Sequence, residues 1–277
     1  MRREMRCKLR CTPHSAPMTE LTFSIFQAAA RAESVDARLN WLDMAAERAA
    51  ESGADVLACP ELTLGGFGAP ENLADVARPR DGEYAERVGE IAFLHEISIV
   101  FGYPEVADGH YYNAAMFVDA KGEMRAAQRK SHLLPQDATA GVSPGAGLAL
   151  FDCCGWKIAL LIGRDLEFPE VARHAALGGA DLLVAPAALE ASQGIVADKM
   201  VPVRALENGV YVAYANWAGG AADAPFYGGS CIIAPDGTAE AEAGKATTIL
   251  MATLQKSRLG LARTRAPYLR DRRGPDD

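Results

Sequence analysis

Short, almost uninterrupted apolar runs are the feature of this sequence that most constrains its fold. Residues 156–162 and 182–186 form two such runs, and a helical segment over residues 170–177 separates them. A strand that faces water on one side alternates apolar and polar residues, whereas a strand covered on both faces is apolar throughout. The pattern therefore predicts an α/β fold in which helices cover a sheet.

The same rhythm of strands and helices runs along the rest of the chain. In the helix predicted at 35–52, the apolar residues Leu39, Leu42, Ala46 and Ala49 recur on one stripe, which is typical of a helix packed on a sheet. A hairpin is predicted for 111–118 and 124–129, because residues 119–122 carry turn chemistry. The other predicted strands are 21–28, 56–59, 99–103, 210–216, 230–234 and 248–254, and the other predicted helices are 84–96 and 200–207.

The length and continuity of the chain predict its domain organisation. The 277 residues suffice for one large α/β domain, and no repeat or low-complexity linker divides them. We expect a single domain with mixed sheets over residues 18–277, ending in a basic tail that contains Arg270, Arg272 and Arg273. Residues 1–17 precede the first predicted strand, and we expect a disordered extension or an over-long gene start there.

Charge and composition exclude several classes of protein. The net charge of -8 disfavours a general binder of nucleic acid or anionic membranes, because such proteins need a basic face. No apolar run reaches the roughly 18 residues of a membrane-spanning helix, and no signal-peptide core is present. The six cysteines lack metal-binding spacing, so we expect reduced thiols, no metal or other cofactor, and a cytoplasmic location.

Three loop sequences at predicted strand ends carry unusual combinations of residues. They are Cys59-Pro60-Glu61-Leu62 running to Gly66-Phe67, then Arg129-Lys130-Ser131-His132-Leu133, and then the run from Ile162 through Gly163, Arg164 and Asp165 to Phe168-Pro169-Glu170. In order and spacing these motifs resemble the nitrilase, or carbon-nitrogen hydrolase, superfamily, and most of all its small aliphatic amidases. The resemblance covers residues 21–273, with support from Tyr112-Asn113, residues 204–208, Tyr214-Ala215-Asn216 and Gly228-Gly229-Ser230.

The resemblance implies a fold, an assembly and a set of site residues. The implied fold is an α-β-β-α four-layer sandwich with mixed sheets, assembled as a homodimer or larger homo-oligomer. Glu61 is implied as the base and Lys130 as the group that stabilises the oxyanion. Phe67 and Phe168, in the matched motifs, are expected to bind the substrate. The expected ligand is a small amide, nitrile or carboxylate.

The nucleophile is missing at the position where the resemblance places it. Acyl-enzyme hydrolysis requires a nucleophile, a base and an oxyanion stabiliser, and the family's cysteine falls on Gly163, which has no side chain. Loss of the nucleophile removes on the order of 10⁶-fold in rate. Cys59 is the best alternative thiol, because it shares strand parity with Glu61.

A second departure concerns the carboxylate that holds the lysine. The family's second glutamate falls on Ala138, so that carboxylate is expected to be absent. Gln136 and Asp137 are neighbours that could substitute, but adjacent residues of an extended chain point in different directions.

Arg164 replaces a residue that is usually aromatic in the family. With Ala138 in place of an acid, the site is expected to be more positive, and Lys130 and Arg164 are expected to bind a small anion such as a carboxylate. The alternative is that Arg164 pairs with Asp165, Glu167 or Glu170.

Four functional hypotheses follow from these departures. The leading one is a degenerate carbon-nitrogen hydrolase, or pseudoenzyme, that keeps a small-molecule pocket without thiol-acyl chemistry. The second is an enzyme that uses Glu61 and Lys130 as an acid/base pair without a cysteine. The third is a structural subunit that assembles with an active homologue, and the fourth is an engineered knockout of an active amidase.

Overall fold

The computed structural model of the chain describes residues 19–31, 33–65, 73–221 and 224–273. The predicted extension at 1–17 and the predicted substrate-binding Phe67 lie outside these ranges. Within the ranges, the strands are β1 (Glu20–Gln27), β2 (Val56–Ala58), β3 (Ser98–Ala107), β4 (His110–Val118), β5 (Met124–Arg129), β6 (Ala149–Cys153), β7 (Trp156–Leu160), β8 (Leu182–Pro186), β9 (Tyr211–Ala215), β10 (Ala218–Ala221), β11 (Ala224–Tyr227), β12 (Cys231–Ile233), β13 (Ala239–Glu242) and β14 (Thr248–Gln255).

The helices lie between and after these strands. They are α1 (Val35–Glu51), α2 (Leu73–Val76), α3 (Glu83–His95), α4 (Pro135–Thr139), α5 (Pro169–Leu177), α6 (Val201–Asn208), α7 (Lys256–Arg265) and α8 (Tyr268–Asp271). Short 3₁₀ turns occur at Gly163–Glu167 and Ala191–Gln193, and a π-helical turn at Val196–Met200 precedes α6. No helix in the described ranges has both the length and the apolar character required to span a bilayer.

Two six-stranded sheets have closely similar topologies. The first has the order β14-β1-β2-β3-β4-β5 and the second the order β13-β12-β9-β8-β7-β6. In the first sheet β1, β2 and β3 are parallel, and in the second β7, β8 and β9 are parallel, while the outer strands are antiparallel. The central parallel strands therefore present their carboxyl ends, where ligand sites of α/β sheets form, at one edge of each sheet.

The two sheets pack face to face, and their side chains form the central core. Phe23 and Ile25 of β1 belong to the same buried cluster as Trp156, Ile158 and Leu160 of β7. Alternate residues on these strands point inward, because successive side chains of a strand lie on opposite faces. Burial between the sheets excludes water from the inner face of each strand.

Helices cover the outer faces of both sheets. Leu42 of α1 and Val88 of α3 pack with Leu57 of β2 on the first sheet. Ala172 of α5 and Ala205 of α6 lie in the corresponding cluster on the second sheet. The predicted α-β-β-α sandwich with mixed sheets is therefore confirmed, as are the continuous apolar runs that indicated strands buried on both faces.

The sequence did not predict every element. Strand β6 was missed because its residues are only partly buried and lie at a sheet edge. Helix α7 was missed because only Leu259 and Ala262 of its ten residues are buried, so it has almost no apolar stripe. The predicted strand at 156–162 ends at Leu160, and the last two residues lead into the turn at Gly163.

Substitution of Gly102 tests the close passage of the loop after β2 over β3. A Cβ atom at Gly102 would overlap the backbone nitrogen of Leu62, which cannot move independently of the loop. We expect Gly102→Ala to lower the free energy of unfolding by at least about 2 kcal/mol, through overpacking, in urea titrations. Gly260→Ala is the control, because a Cβ there meets no neighbour and α7 gains helix propensity. Equal stability of the two variants would contradict the close approach.

Candidate functional site

A cavity of about 510 Å³ opens where strands of both sheets end. Glu61 follows β2, Lys130 follows β5, Gly163 follows β7, and Tyr214 lies near the end of β9. The residues that line the cavity are Glu61, Lys130, Leu134, Pro135, Gln136, Asp137, Gly163, Arg164, Glu167, Ala188, Leu189, Glu190, Gln193, Tyr214 and Phe226. The fold thus brings Glu61, Lys130, Gly163 and Arg164 together, as their positions at strand ends predicted.

Contacts from both sheets hold the backbone around Glu61. The Glu61 amide donates to the Ala187 carbonyl (3.3 Å), and the Trp217 indole donates to the Glu61 carbonyl (2.7 Å). Leu62 has a φ of 49°, which is uncommon for a residue with a side chain. The buried Arg38 guanidinium donates to the Thr63 carbonyl at 3.0 Å and stabilises this turn. The sequence did not indicate roles for Arg38 and Trp217, because both side chains donate to backbone carbonyl groups.

Glu61 and Lys130 form a buried ion pair at the base of the cavity. Lys130 Nζ lies 2.7 Å from Glu61 Oε1, and each residue is 2% exposed. The Asn113 side-chain amide donates to the same oxygen at 2.6 Å. Glu61 Oε2, by contrast, accepts no hydrogen bond from the described residues. Oε1 therefore accepts hydrogen bonds from two side chains of the protein, whereas Oε2 lies beside the cavity without one.

Asp137 supplies a second carboxylate to Lys130, and this corrects the expectation that such a group is absent. Its Oδ2 lies 3.2 Å from Lys130 Nζ and also accepts the Leu134 amide at 2.9 Å. The prediction failed because residues 135–139 form helix α4 and are not extended, so Asp137 faces the lysine while Ala138 is exposed.

The two carboxylates determine the protonation of Lys130. Burial by itself lowers the pKa of a lysine, but the attraction of Glu61 and Asp137 outweighs that effect and raises the pKa of Lys130 above its usual value. The ammonium is therefore charged at neutral pH. It carries three N–H donors, of which Glu61 and Asp137 accept two.

Gly163 begins a tight turn beside the Glu61 carboxylate. Its φ is 44°, a left-handed conformation that strains residues with side chains. A Cβ atom at this position would overlap Glu61 Oε2, so the carboxylate lies where a side chain of residue 163 would begin. None of the described residues that line the cavity carries a thiol or an aliphatic hydroxyl.

The described cysteines Cys59, Cys153 and Cys231 are buried and do not line this cavity. Cys59 is fully buried between the first sheet and its helices, and burial raises the pKa of its thiol far above the usual range. Burial raises the pKa of Cys153 to about 12, and that of Cys231 also rises strongly. Thiols in such surroundings stay protonated and are poor nucleophiles.

Asp165 joins the loops that carry Lys130 and Gly163. Its carboxylate accepts the His132 amide (2.8 Å), the Ser131 amide (3.1 Å) and the Ile162 amide (3.3 Å). Arg204 supports the same turn by donating to the carbonyls of Leu166 and Glu167. Asp165 is therefore occupied by backbone amides and by the His132 ring, whose Nδ1 lies 2.9 Å from Oδ1, and it does not pair with Arg164, which was one alternative considered for that arginine.

Arg164 and Phe168 have structural contacts on one side of the site. The Arg164 guanidinium donates to the Leu133 carbonyl at 2.9 Å, and no carboxylate of the described residues lies within ion-pair distance of it. Phe168 stacks on His132, with 3.9 Å between ring centres, and does not line the cavity. The ring is therefore used in packing, and the contact of Phe168 with substrate stays a prediction.

The charge of the cavity corrects the expectation of a more positive site. Its lining contains four carboxylates (Glu61, Asp137, Glu167 and Glu190) and two cationic side chains, Lys130 and Arg164. The sequence did not indicate that Asp137, Glu167 and Glu190 lie together, because they come from three different chain segments. An anionic ligand would meet this excess of negative charge, so the carboxylate hypothesis loses its electrostatic basis. The described residues also contain no group of three acidic, histidine or cysteine side chains placed to hold a metal ion.

Comparison with known proteins gives consistent matches along most of the chain. The family model for carbon-nitrogen hydrolases matches residues 22–264. The hydrolase in the pqqF 5' region of Pseudomonas protegens is 37% identical over 253 residues, which are 90% of this chain and 88% of that protein. An (R)-stereoselective amidase of a Pseudomonas species is 31% identical, over 79% of this chain and 80% of the relative.

Solved structures of an amidase of the nitrilase superfamily from Nesterenkonia species AN1 also match. A cysteine-to-alanine variant superposes with a TM-score of 0.82 at 31% identity, and covers 93% of this chain and 96% of its own. A double variant bound to acrylamide gives a TM-score of 0.81 at 30% identity, over 94% and 96% of the two chains. In a further variant, the acetamide moiety of fluoroacetamide is added covalently to the active site cysteine of that amidase.

Removal of the Lys130 charge tests the energetic importance of the buried pair. Lys130→Met leaves Glu61 and Asp137 without their cation, and we expect a loss of about 3–5 kcal/mol in unfolding free energy. The double variant with Glu61→Gln should recover part of that loss, because one uncompensated charge is also removed. Lys157→Met is the control: it breaks the exposed pair with Asp152 and should cost at most about 1 kcal/mol in urea titrations.

The pH dependence of the same variant gives an independent check. The pKa of Lys130 is higher in the folded protein than in the unfolded chain, where a lysine has a pKa of about 10.4. The charged lysine therefore contributes its full stabilisation below about pH 10.4, and this stabilisation is lost as the pH rises through the pKa of the folded state. The stability difference between wild type and Lys130→Met should therefore stay constant from pH 7 to about pH 10 and shrink above it. A difference that already shrinks near pH 8 would contradict the charged buried lysine.

Proposed function

The chain belongs to the carbon-nitrogen hydrolase family, and from that membership we propose that it binds a small amide in the cavity without hydrolysing it through a cysteine acyl-enzyme. The observation that carries the proposal is glycine at position 163, where the matched motif of the family places its nucleophile. The protein is then a homologue that keeps the pocket of an amidase and lacks the thiol.

The surroundings of the cavity support the absence of covalent chemistry. A nucleophile for acyl transfer has to lie within about 3.5 Å of the bound carbonyl. The lining residues in the described part of the chain offer carboxylates, an ammonium and a phenol, but no thiol or alcohol. The buried cysteines Cys59 and Cys231 are protonated and face the packed interior, so they do not replace the missing group.

Lys130 supports the binding of a neutral carbonyl group. Two of its three N–H donors are engaged by Glu61 and Asp137, and the third can donate to a carbonyl oxygen of a ligand. A neutral amide adds no charge to a site that already contains four carboxylates. The acrylamide complex of the Nesterenkonia amidase is consistent with a small amide as the class of ligand.

A second candidate function uses Glu61 as a base that acts on water. Its Oε2 accepts no hydrogen bond from the described residues and lies beside Gly163, where a water molecule could approach a bound amide. Glu61 would take a proton from that water as the water oxygen attacks the carbonyl carbon, and Lys130 would stabilise the oxyanion. The oxyanion would then collapse with cleavage of the C–N bond, and protonated Glu61 would give its proton to the leaving nitrogen, which releases ammonia or an amine together with a carboxylic acid. This reaction needs no covalent intermediate with the protein, and it makes Glu61 essential for any turnover.

Three further properties are proposed, the first and third from the sequence and the second from the resemblance to the family. We propose a single domain over residues 18–277, a homodimer or larger homo-oligomer, and a cytoplasmic location. Size-exclusion chromatography with light scattering tests the assembly, and a monomer at micromolar concentration would contradict it.

Restoration of a thiol at position 163 tests the proposed function. Wild type, Gly163→Cys and Gly163→Ala are treated with fluoroacetamide and examined by mass spectrometry. We expect an acetamide adduct at residue 163 only in Gly163→Cys. Gly163→Ala is the matched control, because both variants add a Cβ that displaces Glu61 Oε2 but only one adds sulfur.

The same proteins are assayed for amide hydrolysis. The proposed function predicts no turnover by wild type. Turnover by wild type that disappears in Glu61→Gln would overturn the proposal in favour of the second candidate function. An adduct on another cysteine of the wild type, together with turnover, would identify a different nucleophile and contradict both functions.

A further inference from the structure

Tyr214 contributes a phenol to the wall of the cavity. The residue is 1% exposed and lines the cavity, and its hydroxyl has no hydrogen-bond partner among the described residues. Burial is the main reason for the strongly raised pKa of Tyr214, and the charges of Glu61 and Glu167 raise it further. The phenol is thus neutral, lies near both carboxylates, and is free to hydrogen bond to a ligand.

Glu167 is a half-buried carboxylate in the same lining. It has no ion-pair or hydrogen-bond partner for its side chain in the described ranges, although Arg204 holds its backbone carbonyl. Burial raises the pKa of Glu167, and the nearby charges of Arg164 and Lys130 offset that effect only in part. A cationic group of a ligand would relieve this desolvation, because an opposite charge favours the ionised carboxylate.

The carboxylates that line the cavity differ in the cations they contact. Lys130 contacts Glu61 and Asp137 directly, at 2.7 Å and 3.2 Å. Glu167 and Glu190 form no ion pair with a described residue, and the Arg164 guanidinium of the same lining donates to the Leu133 carbonyl. The charges of Arg164 and Lys130 act on Glu167 without direct contact, so Glu167 is less compensated than Glu61 and Asp137. A ligand that fills the cavity can carry a neutral amide at Lys130 and a positive group near Glu167.

We propose that the cavity selects amides that also carry a protonated amine, with Glu167 as the ion-pair partner of the amine and the Tyr214 hydroxyl as a hydrogen-bonding group for the ligand. Amino-acid amides and short aminoalkyl amides belong to this class. The inference rests on the proposed function, since it takes the amide end to lie at Lys130. The cavity volume of about 510 Å³ is within the range of small-molecule sites.

Two isosteric probes and one anionic probe test the charge preference by calorimetry. The probes are 3-aminopropanamide (cationic), butyramide (neutral) and succinamate (anionic). Wild type should bind 3-aminopropanamide about 10- to 100-fold more tightly than butyramide at low salt, as for a charged hydrogen bond, and succinamate more weakly than either. Added salt should reduce the preference.

Three variants assign the preference to residues. Glu167→Gln should abolish the preference and leave the affinity for butyramide within about threefold of wild type. Tyr214→Phe should weaken both amides by about three- to tenfold, as for a neutral hydrogen bond. Glu170→Gln is the charge-matched control, because it removes an exposed carboxylate three residues away and should behave as wild type. Thermal unfolding of each variant checks that it is folded.

The possible outcomes separate this inference from the proposed function. Equal binding of the cationic and neutral probes, tightest binding of succinamate, or a preference that survives Glu167→Gln overturns the inference and leaves the proposed function intact. Failure of every probe to bind overturns both. If wild type hydrolyses the probes, the proposed function is wrong, and the ratio of kcat/KM values between the isosteric amides then decides the charge preference.

Discussion

The buried contact of Lys130 with Glu61 and Asp137 is the interaction on which the rest of the site depends. An ammonium that is 2% exposed is stable inside a protein only when opposite charges and hydrogen bonds replace its water. Glu61 comes from the end of β2, Lys130 from the end of β5 and Asp137 from α4. These contacts of Lys130 therefore fix the relative positions of three chain segments. Asn113 donates a further hydrogen bond to Glu61 Oε1, the oxygen that also contacts the lysine.

This dependence changes what the presence of Glu61 and Lys130 means for function. Glu61 without Lys130 would be a buried carboxylate without an ionic partner, and Lys130 without Glu61 would keep only Asp137, so loss of either partner costs several kcal/mol. Both are thus required for stability whether or not a reaction takes place. Gly163 is different, because the thiol that the family motif predicts at this position would support no other part of the fold. A chain can lose its nucleophile and remain folded, whereas loss of the lysine affects the whole loop cluster.

Sequence reasoning predicted most of the fold and only part of the site. Buried strands and the amphipathic helix α1 have strong periodic patterns, and the matched motifs located Glu61, Lys130 and Gly163 at strand ends. The role of Asp137 was missed because it depends on a five-residue helix with no apolar stripe. The acidic character of the cavity was missed for a related reason: Glu167 and Glu190 follow different strands, and only the folded chain brings them together.

The turn at Gly163 shows how one substitution alters the chemistry that the remaining groups can perform. With no Cβ at this position, Glu61 Oε2 occupies the adjoining space and faces the cavity without a protein partner. A carboxylate there can accept a proton from water or bind an N–H group, but it does not form a stable acyl intermediate with an amide, because carboxylate is a far better leaving group than amide nitrogen. Under the proposed function, the site is limited to binding and proton transfer. Among ligands that can bind, the uncompensated charge of Glu167 favours those with a positive group.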